Sequence, residues 1–83
     1  MDRAATVSAL EAAGVVAVIR LKEAASLRAV VDALADGGVR ALEVTMSVPG
    51  AIGRIAEIAP TLPPEVVLGA GTVLDAETAR AAV

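Results

Sequence analysis

The sequence predicts an α/β protein organised around a parallel sheet, and three observations carry that prediction. Short runs of aliphatic and β-branched residues alternate with stretches whose apolar positions recur at helical spacing. The order is strand, helix, strand, helix, strand, helix at intervals of about 25 residues, the rhythm of βαβ units. Glycine and proline stand at the joints between these stretches. Two architectures accept such units: a doubly wound open sheet and part of a (β/α)8 barrel.

Each element has its own signature. Residues 4 to 13 carry Val7 and Leu10 at helical spacing and stop at Gly14, which predicts a short leading helix. Val15, Val16, Ala17, Val18 and Ile19 form an unbroken apolar run, the pattern of a strand buried on both faces, and Arg20 closes it. From Ala24 to Asp36, Leu27, Val30, Val31 and Leu34 fall on one stripe, with Arg28, Asp32 and Asp36 away from it. Gly37 and Gly38 end that helix, and a second strand is expected from Val39 to Met46. Pro49 suits the first turn of the next helix, with Ile52, Ile55, Ala56 and Ala59 as its inner face, ended by Pro60, Pro63 and Pro64. Val66 to Ala70 make the third strand, with a glycine-rich exit at Gly69-Ala70-Gly71-Thr72. Asp75 can cap a final helix starting at Ala76-Glu77 and still under way at Val83.

At 83 residues there is room for one compact unit. Yet 57% of the residues are apolar and the mean hydropathy is +0.74, more than a small, surface-rich domain needs, so the chain reads as the interior of something larger. With no Phe, Trp or Tyr, that apolar content suits repeated packing of helices on a sheet. The formal net charge is −3 and the seven basic residues are scattered singly, which argues against a nucleic-acid partner. The absence of cysteine and histidine leaves carboxylates, lysine, arginine and hydroxyls to carry any chemistry. No stretch reaches membrane-spanning length without a charge, and Glu11 interrupts the segment after Met1-Asp2-Arg3. The expectation is a soluble, cytoplasmic protein with no membrane partner.

In either architecture ligands bind beyond the carboxyl ends of the strands, where Arg20, Glu43 with Thr45, and Thr72 fall. The period of two puts Val39, Ala41, Glu43 and Thr45 on one face of the second strand, and Arg40, Leu42, Val44 and Met46 on the other. The larger apolar residues suit helices, so Glu43 belongs to the inward face. A carboxylate within a buried strand is costly unless it is paired or used. Two readings stay open: a structural ion pair with Arg20 across neighbouring strands, and a general acid/base. Arg20 in turn is either a strand-end charge reaching water or a bidentate anchor for a substrate carboxylate or phosphate. Gly69-Ala70-Gly71-Thr72 leaves backbone amides open to a small anion but matches neither a Walker sequence nor G-x-G-x-x-G. Lys22, the one lysine, is a solvated loop residue in this reading.

The runs V-V-A-V-I-R (15 to 20), G-G-V-R-A-L-E-V-T (37 to 45) and G-A-G-T-V-L (69 to 74), in this order and at these separations, resemble the start of the 2-keto-3-deoxy-6-phosphogluconate (KDPG) aldolase family. That family is also known as 4-hydroxy-2-oxoglutarate aldolase, and the resemblance runs over essentially the whole chain. It implies the first three βα units of a (β/α)8, TIM-type barrel behind a leading N-terminal helix, a single partial domain over residues 1–83, truncated at its C-terminal side. It implies a class I aldolase, in which a lysine on the sixth strand forms a Schiff base with the keto group of pyruvate. Glu43 matches the family's general acid/base, and Thr72 the threonine that helps hold the pyruvate carboxylate. Many members follow E-V-T with Leu-Arg, whose arginine binds the substrate carboxylate. Here Met46-Ser47 stand there, and Arg20 is the natural substitute, as in a branch with Val-Pro shortly after this motif. No Schiff-base lysine is expected in this chain, because Lys22 does not match the reactive position. Neither a metal nor a cofactor is implied; the partners are a small keto-acid substrate and, at full length, two further copies in a homotrimer. The competing readings are a non-catalytic interaction or scaffold module and another phosphate-handling barrel synthase, the latter disfavoured by E-V-T.

Overall fold

In a computed structural model, which describes residues 2–83, the chain folds as a small α/β unit with one sheet of three parallel strands in the order β1-β2-β3. The strands are β1 (Ala17–Ile19), β2 (Ala41–Thr45) and β3 (Val67–Gly71), and the helices are α1 (Arg3–Ala13), α2 (Leu27–Asp36), α3 (Ala51–Ile58) and α4 (Ala76–Ala82). Single 3-10 turns at Ala24–Ser26 and Ala59–Thr61 lead into α2 and out of α3. The register pairs Val18 with Glu43 and Glu43 with Gly69, so the second strand is held on both sides.

Side-chain chemistry explains the helix boundaries. Asp2 caps α1 by accepting a 2.7 Å hydrogen bond from the Ala5 amide, and Gly14 ends it in the left-handed conformation. At the exit of α2, Arg40 donates to the Ala35 carbonyl at 3.0 Å, a cation on the negative end of the helix. Arg28 pairs with Asp32 one turn on, at 3.1 Å, and reaches the Thr61 hydroxyl at 2.6 Å, tying α2 to the segment that leaves α3. Asp75 caps α4 through the Thr78 amide at 2.7 Å and the Thr78 hydroxyl at 2.9 Å. These bonds hold its carboxyl below the usual aspartate range, the Thr78 amide contributing most.

The core lies on one side of the sheet. Leu27 and Val31 of α2 and Ala51, Ile55 and Ile58 of α3 pack with Ile19, Leu42 and Val44, all of which project to the same face by strand parity. The α2 stripe is the expected one, with Val30 and Leu34 half-buried beside Leu27 and Val31. The other face carries Val16, Val18, Ala41, Glu43, Thr45, Gly69 and Gly71, and Thr6 and Leu10 of α1 stand across a hollow from its lower part.

Two expectations need correction. The first strand is not a five-residue run buried on both faces: it pairs only from Ala17 to Ile19. Ile19 is 4% exposed, whereas Val16 and Val18, on the face away from α2 and α3, are 49% and 54% exposed, Val16 bordering an open hollow shared with α1. Pro49 lies in the turn before α3, not in its first turn; Gly50, at φ 65, makes the reversal that only glycine takes easily. The helix therefore starts at Ala51, and its buried stripe is Ala51, Ile55 and Ile58; Ala56 and Ala59 are exposed. Val48, 1% exposed, tucks beneath that turn and sets the phase.

Candidate functional site

The polar groups of the sheet gather at the carboxyl ends of its strands. Continuing the register from Ile19 and Val44 sets Arg20 level with Thr45, and Thr45 is paired with Gly71, so Thr72 lies one step beyond. Glu43 sits two residues below that edge, roughly 6–7 Å down the strand. Arg20, Glu43 and Thr72 thus come from three adjacent strands and share one end of the sheet.

Glu43 is half-buried on the face away from α2 and α3. Its side chain does not stay over its lateral neighbour Gly69 but leans toward Gly71. A Cβ on Gly71 would fall 2.7 Å from both carboxylate oxygens. Among the described residues no ion pair or hydrogen bond engages this carboxylate, and no buried side-chain oxygen or nitrogen lacks a partner. Below the carboxylate, Glu43 also borders the open hollow of about 250 Å³ between the sheet and α1. The ion pair between Glu43 and Arg20 does not form: both ion pairs among the described residues, Arg28–Asp32 and Arg54–Glu57, lie on helix surfaces. Arg20 is exposed just past the end of β1 and stands free to meet an anion.

Thr72 is exposed, and its backbone takes φ 59, the single non-glycine residue in the left-handed region among those described. For a β-branched side chain this is a costly conformation, of the kind that collects at functional sites. Thr45 is fully buried, its hydroxyl bonded to that of Ser47, so this polar group is spent on the turn after β2. Lys22 is exposed in the loop after β1. The lean of Glu43 over Gly71 is not foreseen from the motif; the available signal is a glycine two residues beyond the lateral partner of an inward carboxylate.

These features define a parallel α/β protein with a solvent-facing carboxylate, an arginine and a strained threonine at the carboxyl ends of adjacent strands. A family model, aldolase of the KDPG and KHG type, matches residues 6–83. The chain belongs to the KDPG and KHG aldolase family. Among the described residues, no helix is long and apolar enough to cross a membrane.

Proposed function

We propose that this chain forms the first three βα units of a (β/α)8 barrel acting as a class I, Schiff-base aldolase. The reaction is reversible cleavage of 2-keto-3-deoxy-6-phosphogluconate to pyruvate and glyceraldehyde 3-phosphate, or of 4-hydroxy-2-oxoglutarate to pyruvate and glyoxylate. The observation that carries the reading is the unpartnered Glu43 carboxylate on the open face, leaning toward the carboxyl ends of the strands. A barrel is supported by a strand order that never reverses and by α2 and α3 packing on the same face, which leaves the other face for closure. A cytoplasmic homotrimer is part of the same reading.

In this mechanism a lysine amine, supplied from a later strand, attacks C2 of the keto acid; water leaves and an iminium forms. Loss of the C4 hydroxyl proton then breaks the C3–C4 bond, and its electron pair flows into the iminium to give an enamine. Glu43 is the proton relay: it passes protons to and from the departing oxygen and returns one to C3 of the enamine. Hydrolysis releases pyruvate and restores the amine. Arg20 and the Thr72 hydroxyl hold the substrate carboxylate, which fixes C2 and C3 within reach of Glu43. Borohydride reduction of the intact protein in the presence of pyruvate tests the reading. The expected product is one reduced pyruvyl adduct per chain on a lysine other than Lys22. Absence of any adduct, or a stoichiometric adduct on Lys22, contradicts it.

A further inference from the structure

Gly71 is the last residue of β3, at a place where its backbone does not require glycine. Its φ lies outside the left-handed region, unlike that of Gly50, so alanine is conformationally acceptable there. The atoms nearest a Cβ at position 71 belong to Glu43, both of whose carboxylate oxygens would lie 2.7 Å from it. Gly69, two residues earlier on the same face and laterally paired with Glu43, has nothing within 4 Å of its would-be Cβ. The two glycines of one short motif therefore differ: the first has room to spare, and the second is filled by the carboxylate.

The backbone around Gly71 does not yield easily. The residue is buried, paired with Thr45, and its carbonyl accepts from the Met46 amide at 2.9 Å. Any conflict at position 71 is resolved by the flexible end of Glu43, which swings down the strand toward Gly69 and the hollow beside α1.

We propose that Gly71 is a positioning residue: by carrying no side chain, it seats the Glu43 carboxylate at the carboxyl edge of the sheet, where the substrate is handled. This rests on the reading of Glu43 as the acid/base. A side chain at 71 leaves the fold intact but moves the carboxylate by about an ångström or more, and a 1 Å misplacement can cost about 10²-fold in rate.

The test compares Gly71→Ala with Gly69→Ala in the intact protein, by aldol-cleavage kinetics and by the ¹³C signal of the Glu43 carboxyl group. Gly71→Ala is expected to lower kcat tenfold or more with little change in KM, and to move the chemical shift of the Glu43 carboxyl carbon. Gly69→Ala changes none of these. In a Glu43→Gln background, Gly71→Ala should bring no further loss of kcat, since the group it displaces no longer transfers protons. Equal effects of the two alanines, or an undiminished loss in the Glu43→Gln background, would overturn the proposal. A Glu43→Gln enzyme with ordinary turnover would instead overturn the acid/base reading on which it stands. The carboxyl signal decides the geometry even where turnover is too low to measure: an unmoved carboxyl chemical shift in Gly71→Ala contradicts the seat.

Discussion

Thr72 carries a cost that can be measured. A left-handed conformation costs a residue with a β-carbon about 1–2 kcal/mol, and Thr72 adopts φ 59. Its side chain is exposed and no hydrogen bond of its hydroxyl occurs among the described residues, so replacing it leaves no buried group unpaired. Thr72→Gly removes the strain but loosens the unfolded chain by about 0.4–1 kcal/mol, leaving a net gain of up to about 1.5 kcal/mol. Thr72→Asn, a side chain that tolerates this conformation, keeps more of the gain. For an intact barrel of about 200 residues or more, each kcal/mol moves Tm by about 2–4 °C. Function runs the other way. A hydroxyl bonded to a charged carboxylate is worth about 1.5–3 kcal/mol, so both variants should raise KM for keto-acid substrates by roughly 10- to 150-fold. Denaturant unfolding and steady-state kinetics on the same preparations give both quantities. Loss of stability with unchanged KM in both variants would refute the reasoning, because Thr72 would then be neither strained nor engaged with substrate.

Three further outcomes follow from the same structure. Arg20→Leu should raise KM for pyruvate-containing substrates while leaving thermal stability unchanged, since Arg20 is exposed and forms no ion pair among the described residues; parallel losses of stability and activity would make it structural. Because Asp75 is held below the usual aspartate range by its cap to Thr78, its contribution is complete above about pH 4 and is lost as pH falls through its lowered value. The Thr78 amide signal should report fraying of α4 in that acid window, and Asp75→Ala should abolish the transition. The 83-residue polypeptide on its own should self-associate, because β1 and β3 are open edges and Val16 and Val18 expose apolar surface worth about 25 cal/mol per Å² when covered. In sedimentation, Val18→Lys should reduce that association; a compact wild-type monomer with slow amide exchange in all three strands would contradict it.

Much of this architecture was legible in the order of residues because period and parity are local. The α2 stripe, the Asp75 cap and the assignment of Glu43 and Leu42 to opposite faces each depend on a few neighbouring positions, and each holds in the structure. What was misread depends on features that an apolar pattern does not encode. β1 pairs only over Ala17–Ile19, and Val16 and Val18 stay exposed on the face that α2 and α3 do not cover, which an apolar run cannot reveal. The phase of α3 is set by Gly50 and by Val48 beneath it, and the helix turns to bury Ile58 in place of Ala59. At the site, the chain order indicated which strand ends carry Arg20, Glu43 and Thr72. It did not disclose the missing Arg20–Glu43 pair, the left-handed Thr72 or the lean of Glu43 over Gly71, since each is a matter of side-chain direction or backbone turn.

The central claim is that Glu43 transfers protons in an aldol cleavage. The direct measurement is the steady-state kinetics of Glu43→Gln in the intact protein, because the amide keeps size and polarity but cannot exchange protons at this step. General acid–base catalysis is worth about 10²–10⁴ in rate, so kcat should fall by that factor, with pyruvate binding much less affected. Wild-type turnover in Glu43→Gln would contradict the account and reduce Glu43 to a polar group lining an open sheet.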